Sequence, residues 1–275
     1  MPTRSQLLRT MACAGVAPLM PYRIASAQTP SGDIRDIGTR LEPFADDFLI
    51  GELRGAAHRL REPVPAGTVL TFDRPWEGSF VGYITVFRDG ERFRMYYRGI
   101  PTSGADGSEA EVTCTAESAD GIRWERPELG LFEVRGSKKN NIVLAGMKPF
   151  SHNFAPFIDT RAGVPVAERY KALAGTVESG LTAFVSPDGY RWRKLREEPI
   201  VRDGAFDSQN VGFWSEHEKC YVCYFRTWTK GGFNGFRTVS RATSNDFLTW
   251  SKPEPMNFGG TPSEQIGRAS CRERV

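Results

Sequence analysis

Ser118-Ala-Asp120-Gly121-Ile-Arg-Trp124 and Ser186-Pro-Asp188-Gly189-Tyr-Arg-Trp192 are two copies of one phrase, and Ser244-Asn-Asp246-Phe-Leu-Thr-Trp250 is a looser third copy. The tryptophans lie 68 and 58 residues apart. An Asp before a Gly closes a tight turn, because its short carboxylate bonds nearby backbone N–H groups and Gly accepts a positive φ. The following Trp supplies a large ring for packing between layers. The phrase therefore indicates a repeated strand-turn-strand unit in which Ser, Asp and Trp are structural.

The stretches between these phrases are typical of short β-strands. Gly82–Phe87 and Arg92–Tyr97 flank an Asp89-Gly90 turn and predict a hairpin. No stretch has a helical apolar period of useful length. The sequence thus predicts an all-β fold with about three propeller blades, at about residues 73–130, 140–199 and 205–255. Propellers close with four or more blades, so this count predicts an incomplete ring within residues 73–264.

The first 27 residues have the pattern of a secretory signal. Arg4 and Arg9 precede a short apolar stretch, and Ala25-Ser26-Ala27 fits a cleavage site. The apolar stretch is too short to span a bilayer, so we expect no membrane span. We therefore expect a periplasmic or extracellular protein, in which residues 28–72 form an N-terminal strand segment leading into the blades.

Residues 265–275 show neither strand alternation nor a helical stripe. They resemble the translation of a short-read sequencing adapter, and we interpret them as a non-native tail that truncates the protein after Glu264; a native basic tail is the alternative. The whole chain has 36 Lys and Arg against 33 Asp and Glu. Without the first 27 and last 11 residues, 30 basic and 32 acidic residues remain, and no Lys/Arg stripe is present. This composition does not favour a nucleic-acid partner.

The chain has no cofactor or metal motif. Cys114, Cys220 and Cys223 are an odd number without a disulfide spacing, and we interpret them as small core residues. His152 is the only histidine near a predicted strand start, and a metal site would need partners that the sequence does not show. We expect neither a cofactor nor a metal.

Several further phrases carry a family resemblance: Asp73-Arg-Pro-Trp76-Glu77, Asn140-Asn141-Ile-Val, Asn153-Phe-Ala-Pro-Phe-Ile-Asp159, Arg169-Tyr-Lys-Ala172 and Phe206-Asp-Ser-Gln-Asn210. Together with the repeats they resemble secreted bacterial proteins related to the five-bladed propeller glycoside hydrolases, the clan of invertases, arabinanases and β-xylosidases (glycosyl hydrolase families 32 and 43). The resemblance covers nearly all of residues 41–264. It implies a five-bladed β-propeller, here incomplete, and cleavage of glycosidic bonds in a plant or algal polysaccharide or oligosaccharide.

Glycosidic cleavage uses two carboxyl groups placed across the bond. The resemblance implies that they lie at the starts of innermost strands of successive blades. Glu77 and Asp207 precede such strands and are the expected catalytic pair. The second blade has Asn153 where the clan carries a third aspartate, and an amide supplies no like-charge repulsion. Glu264, which would begin a fourth blade, is a candidate third carboxylate.

Other polar residues near these strand ends are candidates for substrate binding: Asp73, Trp76, Arg98, His152, Asn153, Gln209, Asn210 and Arg226. Arg98 and Arg226 end equivalent second strands, where they either hold an acid group in the funnel or join neighbouring blades. Trp76, Tyr83, Trp214 and Trp228 are candidate platforms for sugar stacking, with packing between blades as the alternative.

Two other functions remain open. A non-catalytic carbohydrate-binding propeller would suit the missing carboxylate of the second blade. A sialidase is the lesser alternative, since the repeated phrase is similar to the sialidase Asp-box. The phrase is one residue short of that motif, and the arginine triad of such enzymes is not located.

Overall fold

The computed structural model describes residues 36–39, 42, 49–65, 67–100, 107–260, 262, 264 and 266. The chain divides into two compact units, Met1–Pro65 and Ala66–Val275. In the first unit the described residues form only turns, bends and irregular structure, and the predicted signal segment lies outside the described residues. Within the described part of the chain, no helix has the length and apolar character needed to cross a membrane.

The second unit is all-β, as predicted, and its strands form three four-stranded antiparallel sheets. Each sheet is built from four consecutive strands in chain order. The first sheet has β1 (Gly82–Asp89), β2 (Arg92–Gly99), β3 (Val112–Ser118) and β4 (Ile142–Ala145). The second has β5 (Ala155–Ile158), β6 (Tyr170–Thr176), β7 (Gly180–Ser186) and β8 (Arg193–Lys194). The third has β9 (Val211–Ser215), β10 (Cys220–Trp228), β11 (Arg237–Ser244) and β12 (Glu254–Pro255).

The predicted hairpin at Asp89-Gly90 is confirmed, because Asp89 pairs with Arg92 across the β1–β2 turn. Two short 3₁₀ helices, Phe150–His152 and Val166–Glu168, are the only helical elements among the described residues. The free thiols Cys114 and Cys223 are buried, as expected of core residues.

The end of the first sheet differs from the sequence-based division. Residues 140–145 were expected to begin the second blade, whereas β4 pairs with β3 in the first sheet, with Val112 opposite Ala145. Asn141, just before β4, holds the chain against the first sheet. Its amide donates to the main-chain oxygen of Thr115 at 2.6 Å and to the hydroxyl of Tyr97 at 2.8 Å. These bonds join residues 26 and 44 positions apart, so local strand patterning could not reveal them.

The repeated phrase forms the same closed turn three times. In the first copy Ser118 Oγ accepts from the N–H of Gly121 at 2.8 Å, and Asp120 Oδ1 accepts from the N–H groups of Ile122 and Arg123. Trp124 Nε1 then donates to the oxygen of Gly121 at 3.0 Å. The third copy keeps these bonds although Phe247 replaces Gly, with a φ of 67°. These contacts confirm the structural role predicted for the phrase.

The sheets pack in chain order, and the first strands of successive sheets, β1, β5 and β9, contact one another. Between the second and third sheets lies an apolar core that includes Leu173, Phe206 and Phe225. β9 approaches this core closely at Gly212, where an added Cβ would lie 2.8 Å from Leu173 Cδ1. This arrangement brings the start of β1 and the segments that precede β5 and β9 to one region, where the candidate site lies.

Candidate functional site

Tyr83 joins the segments that precede the second and third sheets. It lies at the start of β1 with a φ of 51°, and its hydroxyl donates to the main-chain oxygen of Asp207 at 3.1 Å. The guanidinium carbon of Arg98 lies 4.7 Å from the centre of the Tyr83 ring, and the ring of His152 meets it edge-on at 5.4 Å. Gly82 makes room for this stack, because a Cβ there would lie 3.3 Å from Arg98 Nη2.

Asp207 is held on one side by Arg226. Arg226 Nη1 donates to Asp207 Oδ2 at 3.0 Å, and the main-chain oxygen of Arg226 accepts from the N–H of Ala205 at 3.1 Å. The other carboxylate oxygen, Oδ1, is buried and has no hydrogen-bond partner among the described residues. A buried carboxylate oxygen is costly to leave unpaired, which makes Oδ1 an acceptor available to a ligand.

A second carboxylate, Glu111, contacts His152 and Arg98, the two residues that pack against the Tyr83 ring. Its Oε1 is 2.9 Å from His152 Nδ1 and 3.8 Å from Arg98 Nη1, and its Oε2 is buried without a partner in the described part of the chain. Arg98 Nη1 is also 3.1 Å from His152 Nδ1. Since Arg98 can only donate, Nδ1 either donates to Glu111 or accepts from Arg98.

Gln209 and Asn210 follow Asp207 in the segment that precedes β9. Gln209 Nε2 donates to Thr85 Oγ1 at 2.5 Å, which ties the segment before β9 to β1. Asn210 is completely buried, and its Nδ2 donates to the main-chain oxygen of Phe206 at 3.4 Å. Five of the predicted site residues are therefore linked to Tyr83 or to its strand, directly or through Asp207: Arg98, His152, Asp207, Gln209 and Arg226.

Asn153, a predicted substrate-binding residue, lies at the start of the second sheet and uses its amide within the protein. The residue is completely buried, and its Oδ1 accepts from the N–H of Gly175 at 3.0 Å. Its Nδ2 donates to the main-chain oxygens of Gly175 and Phe206. The amide is thus committed to joining the second sheet to the segment before the third.

Glu77, the other expected catalytic carboxylate, makes none of these contacts, because its side chain bonds Tyr97 and Arg126 instead. Its side chain is completely buried. Oε1 accepts from Tyr97 Oη at 2.6 Å and Arg126 Nε at 2.7 Å, and Oε2 accepts from Arg74 N at 2.9 Å and Arg126 Nη2 at 3.1 Å. All four donors belong to the protein, so both oxygens of Glu77 are already paired and neither is left for a substrate.

The electrostatics of this buried cluster fit a structural role. Burial raises the pKa of Tyr97, which remains a hydrogen-bond donor to Glu77. Burial acts to lower the pKa of Arg126, but its hydrogen bond with Glu77 raises the net value above the usual range. Arg126 therefore stays charged and paired with Glu77.

The other predicted residues of this region also lie apart from Tyr83. Trp76 Nε1 donates to Asn141 Oδ1 at 2.7 Å, and the ring packs on the apolar cluster of the first sheet. Asp73 is exposed, 3.7 Å from Arg126. Glu264 is an exposed turn residue. Neither Trp76 nor Asp73 contacts the residues around Tyr83 through any of these bonds.

Glu111 is the site residue that the sequence analysis missed. It directly precedes β3, and Gly99 at the end of β2 pairs with Val112 at the start of β3. This antiparallel register places Glu111 beside the end of β2, near Arg98. The signal was present, because the residue before a third strand lies at the same sheet end as the last residue of the second.

Comparison with known proteins yields only distant structural similarities. The sequence matches no family model and no curated protein. Among solved structures, an exo-1,5-α-L-arabinanase from a bovine ruminal metagenomic library is 11% identical, with a TM-score of 0.45 over 73% of this chain and 65% of that one. The family 43 endo-arabinanase of Bacillus licheniformis is 10% identical, with a TM-score of 0.40 over 64% and 59%. A fructofuranosidase of Schwanniomyces occidentalis is 13% identical, with a TM-score of 0.40 over 70% and 39%.

These neighbours are glycoside hydrolases. They are of the types that the sequence resemblance names, invertases and arabinanases. The chain spans 57% of the length of three other matching structures, one of them described only as a glycoside hydrolase. All of these TM-scores are below 0.5, so residue roles and activity have to be derived from the geometry of this chain.

Proposed function

We propose that this protein is a secreted glycoside hydrolase that cleaves a plant or algal polysaccharide or oligosaccharide at the site around Tyr83. The observation that carries the proposal is the pair of carboxylates Glu111 and Asp207. Each has one oxygen beside an arginine and a second, buried oxygen without a partner among the residues described. Two carboxyl groups flanking a sugar are the requirement for glycosidic cleavage.

The two carboxylates have different surroundings, which favours different roles. Asp207 is held by Arg226 and faces the site with Oδ1, so it acts as nucleophile or as base for water. Glu111 shares Oε1 with His152 Nδ1, and this contact can hold a proton between the two groups. Glu111 therefore acts as the proton donor to the leaving oxygen, in place of Glu77.

The remaining residues of the site would bind and orient the sugar. Tyr83 contacts Arg98 and His152 with its ring and Asp207 with its hydroxyl, and the ring of an aromatic residue packs well against the apolar face of a sugar. Gln209 and Arg226 supply donors next to Asp207. We retain Arg98 and His152 as substrate-binding residues, and the proposed substrate site does not include Asp73, Trp76 or Asn153.

The fold proposal is a five-bladed propeller of which this chain supplies three blades. Tyr96 and Tyr224 occupy equivalent places, two residues before Arg98 and Arg226. Tyr96 is completely buried, where it donates to Gly189 of the second sheet at 2.8 Å. Tyr224 lies opposite Val211 in the β-ladder, on a face whose apolar side chains are exposed: Val211, Phe213 and Val239. A further sheet packed there would cover these side chains as the second sheet covers Tyr96.

The site can be tested with amide variants of the two carboxylates. We expect Asp207→Asn and Glu111→Gln to lower turnover at least 10³-fold on whichever member of a glycan panel the unmodified protein cleaves, an order of magnitude set by loss of one catalytic group. Asp73→Asn, at an exposed carboxylate away from Tyr83, is the matched control and should keep full turnover. Retained turnover in both site variants would contradict the assignment.

A non-catalytic carbohydrate-binding protein is the second candidate. It is favoured by two observations: each carboxylate already has an arginine partner, and the buried amide of Asn153 stands at the start of the second sheet in place of a carboxylate. Tight glycan binding by the unmodified protein without release of sugar would support this candidate over the hydrolase. The sialidase alternative gains no support, because the repeated phrase forms self-contained turns.

A further inference from the structure

A cavity of about 390 Å³ lies between the second and third sheets, next to the site around Tyr83. It is bounded by the turn after β6, by residues 202–205, by the end of β10 and by the segment that carries β12. Its lining includes Val177, Asp203, Trp228, Ser240 and Pro255. We call it the Trp228 cavity. Its size is within the range of small-ligand sites.

Trp228 carries a hydrogen-bond donor at the edge of its indole ring. Its Nε1 is buried and has no acceptor among the residues that are described. Its ring is accompanied by Arg237, 5.5 Å from the ring centre, and by Phe233 edge-on at 6.0 Å. Burying an indole N–H without a partner is costly, so an acceptor supplied by a ligand would stabilise this arrangement.

The position of Trp228 also differs from its counterpart in the first sheet. Two residues after Arg98 stands Ile100, which is completely buried in the protein, whereas two residues after Arg226 stands Trp228, which is only partly buried. Ile100 is therefore used in core packing, whereas part of the Trp228 side chain remains accessible to a ligand. An aromatic ring with an N–H at its edge is suited to a ligand with an apolar face and hydroxyl groups.

Further polar groups line the same cavity. Thr227 Oγ1 and Ser240 Oγ are 2.7 Å apart, and one hydroxyl of this pair donates to the other. Asp203 is exposed at the rim. Aliphatic and proline side chains together with a few hydroxyl, carboxylate and indole groups form the mixed lining that is typical of sites for small polar ligands.

The Trp228 cavity and the site around Tyr83 share a wall. The N–H of Ala205, which lines the cavity, donates to the main-chain oxygen of Arg226, and the side chain of Arg226 holds Asp207. A chain of sugars bound at Asp207 could therefore continue past this wall into the cavity.

We propose that the Trp228 cavity binds a second sugar unit of an extended glycan, so that the protein selects oligosaccharides or polysaccharides over monosaccharides. This inference rests on the proposed function in two respects, that the ligand is a carbohydrate and that another unit of it binds at the site around Tyr83. The indole N–H donates to a sugar oxygen, and the ring packs on the apolar face of the same sugar unit.

The experiment is electrophoresis of the folded protein in native gels that contain arabinan, inulin, xylan or pectic galactan. We expect at least one of these polysaccharides to retard the unmodified protein. Trp228→Phe, which keeps an aromatic ring and removes the N–H, should weaken the apparent affinity about fivefold, the worth of one hydrogen bond. Trp228→Ala should abolish the retardation. Thermal unfolding of each variant verifies that it is folded.

Trp214→Phe is the matched control, because Trp214 Nε1 is also buried without a partner among described residues while its ring packs against Tyr221 at 5.0 Å, outside the lining of the cavity. It should bind like the unmodified protein. Unchanged retardation of Trp228→Phe, an equal loss in Trp214→Phe, or no retardation of the unmodified protein by any of the four glycans would overturn the proposal.

The two proposals fail separately. Asp207→Asn should abolish turnover and still be retarded in the gel, because the cavity lining is unchanged. Retained turnover in Asp207→Asn together with weakened binding in Trp228→Phe would reject the hydrolase assignment and keep the sugar site. Lost turnover in Asp207→Asn with unchanged binding in Trp228→Phe would keep the hydrolase assignment and reject the sugar site in the Trp228 cavity.

Discussion

Arg94 of the first sheet donates through Nη1 to the main-chain oxygen of Asp188, 2.6 Å away in the turn phrase of the second sheet. Tyr96 Oη donates to the next main-chain oxygen, that of Gly189, at 2.8 Å. Arg94 is also paired with Asp89 at 3.1 Å. The second copy of the phrase therefore closes its own turn and also provides the surface on which the neighbouring sheet docks.

Gly189→Ala should strongly destabilise the protein. Gly189 has a φ of 78°, and an added Cβ would lie 2.1 Å from Arg94 Nη1 and 2.5 Å from Tyr96 Oη. We expect a loss of about 3 kcal/mol from the free energy of unfolding, measured by denaturant titration. Gly121→Ala is the control, because its φ is similar, 75°, and its Cβ would meet nothing closer than 3.7 Å. It should lose about 1 kcal/mol from backbone strain alone. Equal losses of unfolding free energy in the two variants would show that close packing of Arg94 and Tyr96 against Gly189 does not contribute to the effect.

Glu77→Gln should affect stability and leave the chemistry of the folded protein intact. The substitution leaves Arg126 partly buried without its bidentate carboxylate, and breaking a buried ion pair costs about 3–5 kcal/mol. Thermal unfolding measures this loss, and turnover or glycan binding per folded molecule should be unchanged. Asp73→Asn, at an exposed ion pair 3.7 Å from the same arginine, should change the free energy of unfolding by about 0.5 kcal/mol or less. A stable Glu77→Gln protein without activity would restore Glu77 to a catalytic role.

Tyr83→Phe tests whether the centre of the site depends on the hydroxyl. The variant keeps the ring beside Arg98 and removes the hydrogen bond to the main-chain oxygen of Asp207. Because that bond positions the segment carrying the carboxylate, we expect kcat/KM to fall about tenfold with little change in melting temperature. The measurement is steady-state turnover on the glycan identified by the panel. An unchanged kcat/KM would show that the Tyr83 hydroxyl does not position Asp207.

Acid should weaken the third copy of the turn phrase in a defined pH range. Slight burial acts to raise the pKa of Asp246, but the N–H groups of Thr249 and Leu248 lower the net value to about 2. The unfolded value is about 3.9, so the unfolded chain binds more protons between these two values. The stabilisation is complete above about pH 4 and is lost as the pH falls through 2. Asp246→Asn removes the carboxylate that titrates.

Denaturant titrations of the unmodified protein and Asp246→Asn, repeated between pH 6 and pH 2, measure this effect. The unmodified protein should be the more stable of the two at pH 6, and the difference should shrink as the pH falls below about 4. A constant difference down to pH 2 would mean that the carboxylate charge contributes nothing to the turn.

The sequence predicted features whose causes are local. The Asp89-Gly90 hairpin and the three turns depend on residues within a few positions of one another, and all of them are found. Whether Glu77 or Glu111 belongs to the site depends instead on contacts with residues distant in the sequence. Glu77 is buried by Arg126, 49 residues away, and Glu111 joins His152, 41 residues away. Strand patterning carries no information about such partners.

Asp207 was identified correctly as a residue near a strand start, because the alternation of β9 predicts where that strand begins. The repeated position of Arg98 and Arg226 indicated a shared role, either holding an acid group or joining neighbouring blades. Their partners could not be read in advance, since each arginine reaches a segment that precedes a strand and not a strand itself. The catalytic roles of these residues stay a proposal until the variants are assayed.

The three turn phrases have a consequence for how such a protein can change over evolutionary time. Each phrase satisfies its serine, aspartate and indole groups within seven consecutive residues. A gene segment encoding one sheet can therefore be copied or exchanged without any matching change elsewhere to keep its turn closed. Selection is then free to vary the opposite strand ends, where Tyr83, Glu111 and Asp207 lie, and one scaffold can acquire new ligands while its turns stay the same.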